Sequence, residues 1–270
     1  PEDGLAILNA DDERIFSFRE KLKVPISLFG IGDDSELKAS DLNFNSSNFE
    51  PQGISFKLNY EGKTIPIRLP FVLAPHLIYA VLCAISAGIF FKINIIDIAK
   101  SLEQFVSPQG RMNLIRGFGR SFIIDDTYNS SPESALAGLD TIKNIKALRK
   151  IIAFGDMLEL GGNSEKGHEE VLMRAFRNGV NLFYLSGDRM RKAAEKLEAE
   201  GKISVKIFFF DDPESLGKEL RNILREGDLV LAKGSQGARM EKAVGEMMEN
   251  PEEAKNLLCR QSKIGKKSLI

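Results

Sequence analysis

Carboxylate and amide side chains follow a short apolar run in the segment Asp125–Pro132, and a helical pattern begins directly after it. Ligands of α/β sheets lie beyond the carboxyl ends of the strands, where helix N-termini also point. An acidic side chain there, such as Asp126, can accept hydrogen bonds from hydroxyl groups such as those of a ribose. An equally open alternative is that Asp126 or Asn129 caps the next helix, with Pro132 in its first turn.

Two further loops carry the same kind of signal. One follows an apolar strand and contains Asp156 and Glu159, whose carboxylates could orient a cationic amine or could simply be solvated. The other is a Gly-rich turn with Lys233 and Ser235, where backbone N–H groups could bind a carboxylate or a phosphate. The alternative for this turn is a tight connection that needs glycine for its backbone angles.

Together, the three loops favour a binding site over three unrelated caps. The carboxyl ends of parallel strands lie at one edge of the sheet, so we expect the loops to converge there. They span residues 125–132, 155–161 and 233–239. His168, on the helix after the second loop, is predicted to be an exposed histidine without a special role.

Composition excludes several classes of function. A content of 43% hydrophobic and 28% charged residues is typical of a globular protein, and a net charge of −1 provides no basic field for nucleic acid or an anionic membrane. His76 and His168 have no Cys or His at zinc spacing beside them, so we predict no metal site in the chain. The two cysteines lie in unrelated contexts, which predicts no disulfide and a cytoplasmic location.

The pattern of elements predicts two α/β domains, which fits 270 residues at roughly 100–200 residues per domain. Residues 1–107 contain a β-hairpin insertion and open within a sheet, which suggests a piece of a longer protein. Residues 108–260 alternate strands and helices, which predicts a Rossmann-like domain with a mainly parallel sheet. Residues 261–270 are expected to be a flexible tail. In the second domain the predicted strands lie near 111–117, 120–124, 150–154, 181–185, 205–210 and 228–232, and the helices near 132–145, 164–178, 188–200, 213–225 and 238–248.

Two segments imitate other motifs. The uncharged run Phe71–Phe91 approaches the roughly 20 residues of a membrane span, but Pro75 and His76 shorten it, and we predict a buried helix instead of membrane insertion. Gly62–Thr64 resembles the end of a P-loop, yet the pattern needs a glycine where Lys57 stands, a strand before it and a helix after it. We therefore interpret it as a hairpin turn.

Five motifs resemble those of the Mur ligases of bacterial cell-wall synthesis, in particular the member that adds D-alanyl-D-alanine to UDP-N-acetylmuramoyl-tripeptide. The Asp-Asp-Thr-Tyr-Asn and Gly-Asp-Met-Leu-Glu-Leu-Gly stretches are specific to that member, and the other motifs are more general. The motifs are Leu8–Asp12, Gly110–Met112, Asp125–Pro132, Gly155–Gly161 and Lys233–Gly237.

The resemblance implies an ATP-dependent peptide ligase. Residues 1–107 would be the second half of a P-loop-type α/β ATPase domain, and residues 108–260 a C-terminal Rossmann-like Mur ligase domain that closes over it. ATP would phosphorylate the tripeptide carboxylate to an acyl phosphate, which the dipeptide amine attacks. ATP and Mg²⁺ are the implied cofactors. Because the phosphate loop, the Mg²⁺ ligands and the N-terminal UDP-sugar domain would precede this chain, the chain is expected to be inactive alone and to work with that missing portion.

The same resemblance implies roles for the motif residues. On the nucleotide side, Arg111 would contact the phosphates or ribose and Asp126 the ribose hydroxyls. Other residues would line that side of the cleft; they are Tyr128, Asn129 and His76. On the acceptor side, the expected residues are Lys233, Ser235, Asp156 and Glu159. No catalytic residue and no metal ligand is assigned within the chain.

One motif departs from the family pattern. The helix start Gly-x-His-Asn-x-x-Asn of the family retains His76, but Leu77 and Ala80 replace both asparagines, so adenine would have to be held differently. The alternative is therefore a non-catalytic module, derived from such a ligase, that binds nucleotide or another protein. The member-specific motifs argue against a third possibility, an amide ligase acting on a substrate such as folate.

Overall fold

The computed structural model describes residues 3–261, and the contacts within it separate two compact units. The first comprises the residues up to Asn45 together with Gln52–Val106, and the second comprises Ser46–Pro51 and the residues from Ser107 onward. Apart from Gln261, the predicted tail 261–270 lies outside the described residues.

The first part of the chain builds a five-stranded sheet of order β1-β2-β3-β4-β5. Strands β1 and β2 are parallel, whereas β4 and β5 form the predicted antiparallel hairpin. Tyr60 pairs with Lys63 at the hairpin turn, which confirms that Gly62–Thr64 is not a phosphate loop. Helix α1 was not predicted from the sequence pattern. The elements are β1 (Ala6–Asn9), α1 (Glu13–Ser17), β2 (Ile26–Gly30), β3 (Leu37–Ser47), β4 (Glu50–Tyr60), β5 (Lys63–Leu69), α2 (Leu77–Phe90) and α3 (Ile95–Leu102).

The apolar segment before residue 91 is the core helix α2. Ile78, Leu82 and Ile85 are buried in a cluster with the apolar side chains of β4 and β5. Within residues 3–261, no helix combines the length and the apolar character needed to cross a bilayer. The next helix, α3, is capped by Asn94, whose side chain accepts a hydrogen bond from the Ile96 amide at 2.9 Å.

The second unit contains a six-stranded sheet of order β10-β9-β8-β11-β7-β6. All neighbours are parallel except β6 and β7, which form a hairpin, so the predicted mainly parallel sheet is confirmed. The elements are β6 (Asn113–Gly117), β7 (Ser121–Asp126), α4 (Pro132–Asn144), β8 (Arg149–Gly155), α5 (Ser164–Arg177), β9 (Leu182–Ser186), α6 (Asp188–Ala199), β10 (Lys206–Phe210), α7 (Pro213–Ile223), β11 (Asp228–Lys233), α8 (Glu241–Met247) and α9 (Ala254–Leu257).

The order of the central strands determines where the loops meet. Strand β11 lies between β7 and β8, and β9 and β10 continue outward on the other side of β8. The direction of winding therefore reverses beside β7 and β8, and crevices at such reversals are where open α/β sheets bind ligands. One sheet face is covered by α7 and α8, whose apolar residues form a buried cluster with Ile123, Ile151 and Val230.

Helix α8 begins later than the pattern predicts. A short 3-10 turn covers residues 236–238, and Arg239 then adopts a left-handed conformation with φ 54°. Regular helix therefore starts only at Glu241. The predicted helix 238–248 was thus too long at its N-terminal end.

Candidate functional site

The three polar loops converge at the carboxyl edge of the second sheet, as predicted. In the register of the strands, Lys233 lies beside Asp126 on one side and Phe154 on the other. Ser235 fastens the loops together: its Oγ accepts from the Leu158 amide at 2.8 Å and donates to the Ser130 carbonyl at 3.2 Å. The Ser235 amide also donates to the Asp156 carbonyl at 3.0 Å. One serine therefore joins all three loops.

Lys233 and Asp126 form an ion pair at the centre of this edge. Lys233 Nζ lies 2.6 Å from Asp126 Oδ2 and donates to the Asn129 carbonyl at 2.9 Å. The two side chains are only 2% and 13% exposed. Two residues that the motifs place on different sides of the site are thus direct partners. A contact between Lys233 and an acceptor carboxylate remains a prediction, and it would compete with this pair.

The rim of the site carries an exposed aromatic ring. Tyr128 is 46% exposed, and the guanidinium of Arg111 stacks over it with Cζ 4.3 Å from the ring centroid. The Tyr128 amide donates to the Gly110 carbonyl at 2.9 Å. Gly110 has φ +70°, and a Cβ there would lie 2.9 Å from Tyr128 N, so the Gly110–Met112 motif requires glycine at its first position.

The capping alternative for the 125–132 loop is wrong. The cap of α4 is Ser131, which forms a capping box with Ser134, and Pro132 occupies the first turn as expected. The Asn129 side chain instead accepts from the Ser130 amide at 2.9 Å and is exposed. The helix cap therefore does not account for Asp126 or Asn129.

In the second loop, Asp156 has a structural function that the sequence did not reveal. Its carboxylate accepts from the amides of Met190 at 2.9 Å and Arg189 at 3.3 Å, and so caps α6 from the loop that follows β8. Glu159 is exposed and has φ +62°. A substrate contact by either carboxylate remains a prediction.

The prediction of an exposed His168 is wrong, because this side chain is fully buried beneath the second loop. Its Nε2 accepts from the Met157 amide at 3.0 Å, so Nδ1 carries the proton and donates to the Ser164 carbonyl at 2.6 Å. Burial lowers the pKa of His168 and keeps the imidazole neutral. Sequence spacing gave no sign of this contact.

Asp125 is another buried titratable group for which the motifs imply no role. Burial raises its pKa to about 6, against the opposing hydrogen bonds from Thr127. Oδ1 accepts from Thr127 Oγ1 at 2.6 Å, whereas Oδ2 has no hydrogen-bond partner among the described residues.

The third loop needs one of its glycines for space. Gly234 and Gly237 do not have positive φ angles, and the left-handed residue of the turn is Arg239. A Cβ on Gly234 would lie 2.7 Å from Met240 Cγ, and one on Gly237 would lie 2.7 Å from Leu158 Cδ1. A side chain at Gly234 would therefore collide with Met240, whereas one at Gly237 would meet only the end of the flexible Leu158 side chain.

The domain that carries the three loops matches a known protein family. Residues 110–236 match the family described as "Mur ligase, glutamate ligase domain". This stretch of the chain belongs to the Mur ligase family. It is 29% identical over 249 residues to the UDP-N-acetylmuramoyl-tripeptide--D-alanyl-D-alanine ligase of Rickettsia prowazekii, covering 90% of this chain and 53% of that protein. The enzyme of the same name from Bacillus subtilis is 26% identical over 254 residues, covering 93% of this chain and 52% of that protein.

Solved structures give the same result. A crystal structure of MurF from Acinetobacter baumannii superposes with a TM-score of 0.77 at 27% identity, over 93% of this chain and 53% of that one. The chain therefore spans about half the length of the Mur ligases it matches.

The expected nucleotide and metal can be tested against the residues present in this Mur ligase domain. The exposed Tyr128 ring beside a guanidinium, together with the Asp126 carboxylate two residues earlier, fits a nucleotide, which offers a planar base, ribose hydroxyls and phosphates. Among residues 3–261, no group of three or more His, Cys, Asp or Glu side chains could hold a metal ion.

His76 lies in the other unit, at the start of α2, where its side chain is exposed. Leu77, which replaces the first asparagine of the Mur ligase pattern, packs against the core of that unit, and Ala80 is exposed. Neither position presents an amide for adenine. The nucleotide role of His76 remains a prediction.

Proposed function

We propose that this chain is part of a cytoplasmic, ATP-dependent ligase that adds D-alanyl-D-alanine to UDP-N-acetylmuramoyl-tripeptide in peptidoglycan synthesis. The observation that carries the proposal is the joining of the three motif loops by Ser235 and by the Lys233–Asp126 pair. Curated relatives named for this reaction align with about nine tenths of the chain. The two motifs specific to that ligase lie in the loops that meet.

In the proposed reaction, ATP phosphorylates the terminal carboxylate of the tripeptide, and ADP leaves. The free amine of D-alanyl-D-alanine attacks the acyl phosphate, and the tetrahedral intermediate expels phosphate to give the amide. This chain would bind and orient the reactants, because alignment of an amine with an activated carboxyl accounts for much of the rate of such a step.

On the nucleotide side, each motif residue of the second unit would make its own contact with ATP. Asp126 accepts the ribose hydroxyls, and the ion pair with Lys233 holds its carboxylate in place. Tyr128 and Asn129 line the pocket, and Arg111 reaches the phosphates or ribose from its position over the Tyr128 ring.

On the acceptor side, the second and third loops would bind the dipeptide. Lys233 and Ser235 fix the shape of the third loop through the hydrogen bonds described above. Asp156 and Glu159, in the second loop, border the same edge, where a carboxylate can orient the incoming amine.

We further propose that these 270 residues do not transfer phosphate alone. The sequence contains a single Gly-Lys-Thr, Gly62–Thr64, and it forms a hairpin turn. The phosphate loop and the Mg²⁺ ligands would come from polypeptide other than this chain. The substitutions at Leu77 and Ala80 favour one alternative, a non-catalytic nucleotide- or protein-binding module of the same family.

The experiment uses the longest natural polypeptide that contains this chain, with ATP, Mg²⁺, UDP-N-acetylmuramoyl-tripeptide and D-alanyl-D-alanine. We expect phosphate release that requires both substrates, and a product heavier by the dipeptide in mass spectrometry. L-Alanyl-L-alanine in place of the D,D-dipeptide is the control and should give no product. Absence of product with all substrates present would favour the module, and dipeptide-dependent phosphate release by residues 1–270 alone would contradict the proposed dependence.

A substitution tests the ribose contact directly. Asp126→Asn keeps the shape of the side chain but removes its charge, and we expect the KM for ATP to rise roughly tenfold, the equivalent of one charge-assisted hydrogen bond. The control is Asp140→Asn. It removes the same charge from α4, where Asp140 forms an exposed ion pair with Arg174 of α5. An unchanged KM for ATP in Asp126→Asn would remove the ribose role.

A further inference from the structure

Arg260, close to the end of the described residues, holds the backbone of the 125–132 loop. Its Nη1 and Nη2 donate to the Thr127 carbonyl at 3.2 and 3.0 Å, and Nη2 also donates to the Tyr128 carbonyl at 2.5 Å. These carbonyls directly precede Asn129. The Arg260 guanidinium therefore fixes the backbone beside Tyr128 and Asn129, whose exposed side chains lie at the rim of the site.

The guanidinium is itself held in place from behind. Nη1 lies 2.9 Å from a carboxylate oxygen of Glu241, and the two side chains are 10% and 1% exposed. Glu241 also pairs with Arg239 of the third loop at 2.6 Å. A chain of charges thus connects the third loop, α8 and the loop that carries Tyr128.

Arg260 also has an unusual backbone conformation. Its φ of +58° lies in the left-handed region, which non-glycine residues rarely adopt. Such conformations persist where surrounding contacts determine them, and they concentrate at functional sites. Nη1 in addition contacts the Sγ of the preceding residue, the buried Cys259, at 2.8 Å.

We propose that Arg260 is a positioning residue for nucleotide binding. It holds the carbonyls of Thr127 and Tyr128 so that the Tyr128 ring stays close to two guanidiniums, with the Cζ of Arg111 4.3 Å and that of Arg260 5.7 Å from the ring centroid. The inference rests on the proposed function, in which Tyr128 and Asn129 line the nucleotide side. Arg260 lies outside the family match at residues 110–236 and outside all five motifs.

The fork of the guanidinium explains why arginine is required. It donates at once to two carbonyls and a carboxylate, whereas the ammonium of lysine is a compact point charge that does not reproduce this planar arrangement. Arg260→Lys therefore keeps the positive charge beside Glu241 but loses the paired hydrogen bonds to the Thr127 and Tyr128 carbonyls. Arg120→Lys is the matched control, because Arg120 is an exposed arginine of the same unit that pairs with Glu226.

The test measures both variants in the longest natural polypeptide, by hydrogen exchange and by steady-state kinetics. For Arg260→Lys we expect amide exchange to rise about tenfold in residues 125–132, with β8 and β9 unchanged, and the KM for ATP to rise about fivefold, with the KM for the dipeptide unchanged. Arg120→Lys should match the wild type in every readout. A general loss of structure would instead raise exchange throughout the sheet.

Two results would overturn the inference. Unchanged exchange of residues 125–132 in Arg260→Lys would show that the side chain does not order the loop. Raised exchange with an unchanged KM for ATP would show that the order of the loop does not matter for the nucleotide. Tyr128→Leu separates this from failure of the proposed function: if that variant also leaves the KM for ATP unchanged, the loop does not contact nucleotide, and the proposed role of the loop fails together with the positioning role.

Discussion

Lys233 and Asp126 face each other across neighbouring parallel strands, with Nζ 2.6 Å from Oδ2 and both side chains shielded from solvent. The strand register places Lys233 opposite Asp126 at the ends of β11 and β7. The Lys233 ammonium also donates to the Asn129 carbonyl, so the pair holds the 125–132 loop against the end of β11. Replacing only one of the two side chains by an apolar residue leaves the other charge buried without its counter-ion, whereas replacing both does not.

This difference gives the first prediction. Lys233→Met should lower the free energy of unfolding of the second unit by about 3–5 kcal/mol, whereas the double variant Lys233→Met, Asp126→Leu should recover most of that loss. Urea unfolding of the intact chain, with hydrogen exchange of the β11 amides, measures both. Lys242→Met is the control, because the Lys242–Glu214 pair is exposed and should contribute at most about 1 kcal/mol. A small loss in Lys233→Met would mean that the pair contributes little to stability.

The buried Asp125 predicts a pH dependence. Its folded-state pKa of about 6 lies above the ordinary aspartate value of 3.8, so the protonated acid favours the fold. That stabilisation is complete below pH 3.8 and is lost as the pH rises through about 6. Asp125→Asn, which cannot ionise, should therefore be more stable than the wild type at pH 8, by on the order of 1–3 kcal/mol, and similar to it at pH 4.

Denaturant unfolding at pH 4 and pH 8 checks this difference. Asp211→Asn is a suitable control, because Asp211 is 98% exposed and its substitution should leave the pH dependence as in the wild type. Equal stabilities of Asp125→Asn and wild type at both pH values would contradict the prediction.

His168 predicts a dependence of the opposite sign. Burial depresses the pKa of His168, so its neutral form favours the fold. This contribution is present above the unfolded pKa of about 6.5 and is lost as the pH falls towards the depressed value. His168→Leu removes the acceptor of the Met157 amide and should cost about 1–3 kcal/mol at pH 7.5, with a smaller difference from wild type at pH 5.

His168→Gln separates the hydrogen bond from the charge. A glutamine amide oxygen can accept from the Met157 amide but does not titrate, so this variant should retain more stability than His168→Leu and show no loss between pH 6.5 and pH 5 from this site. Thermal unfolding across this pH range measures both variants. A constant difference between wild type and His168→Leu at all pH values would contradict a neutral buried imidazole.

The sequence predicted the parts of the fold and site that depend on local pattern. Each predicted strand of the second domain is present, because apolar β-branched runs between polar turns identify buried parallel strands. The convergence of the loops also followed from the sequence, since parallel strands bring their carboxyl ends to one edge. Ser131, rather than Asp126 or Asn129, proved to be the cap, because that choice depends on backbone angles that the residue types alone leave open.

Contacts between distant residues were not predictable. The Lys233–Asp126 pair depends on the insertion of β11 between β7 and β8. The local pattern of apolar and polar residues does not determine the order of the strands. His168 is buried by a loop that folds back over it, and Arg260 reaches a loop more than a hundred residues earlier. A single sequence contains no signal for such pairings.

The last prediction concerns Ser235, whose hydroxyl joins the loops. Ser235→Ala leaves the Leu158 amide without its acceptor and releases the Ser130 carbonyl, which should cost about 1–3 kcal/mol in the free energy of unfolding. Because one hydroxyl serves two loops, hydrogen exchange should rise together in residues 125–132 and 155–161. Ser101→Ala is the control: that hydroxyl donates to the Asp97 carbonyl at an exposed position, so its loss should change stability by at most about 0.5 kcal/mol. Faster exchange confined to residues 233–239 in Ser235→Ala would show that the three loops are ordered independently, because a joint that links them must loosen all of them when it is removed.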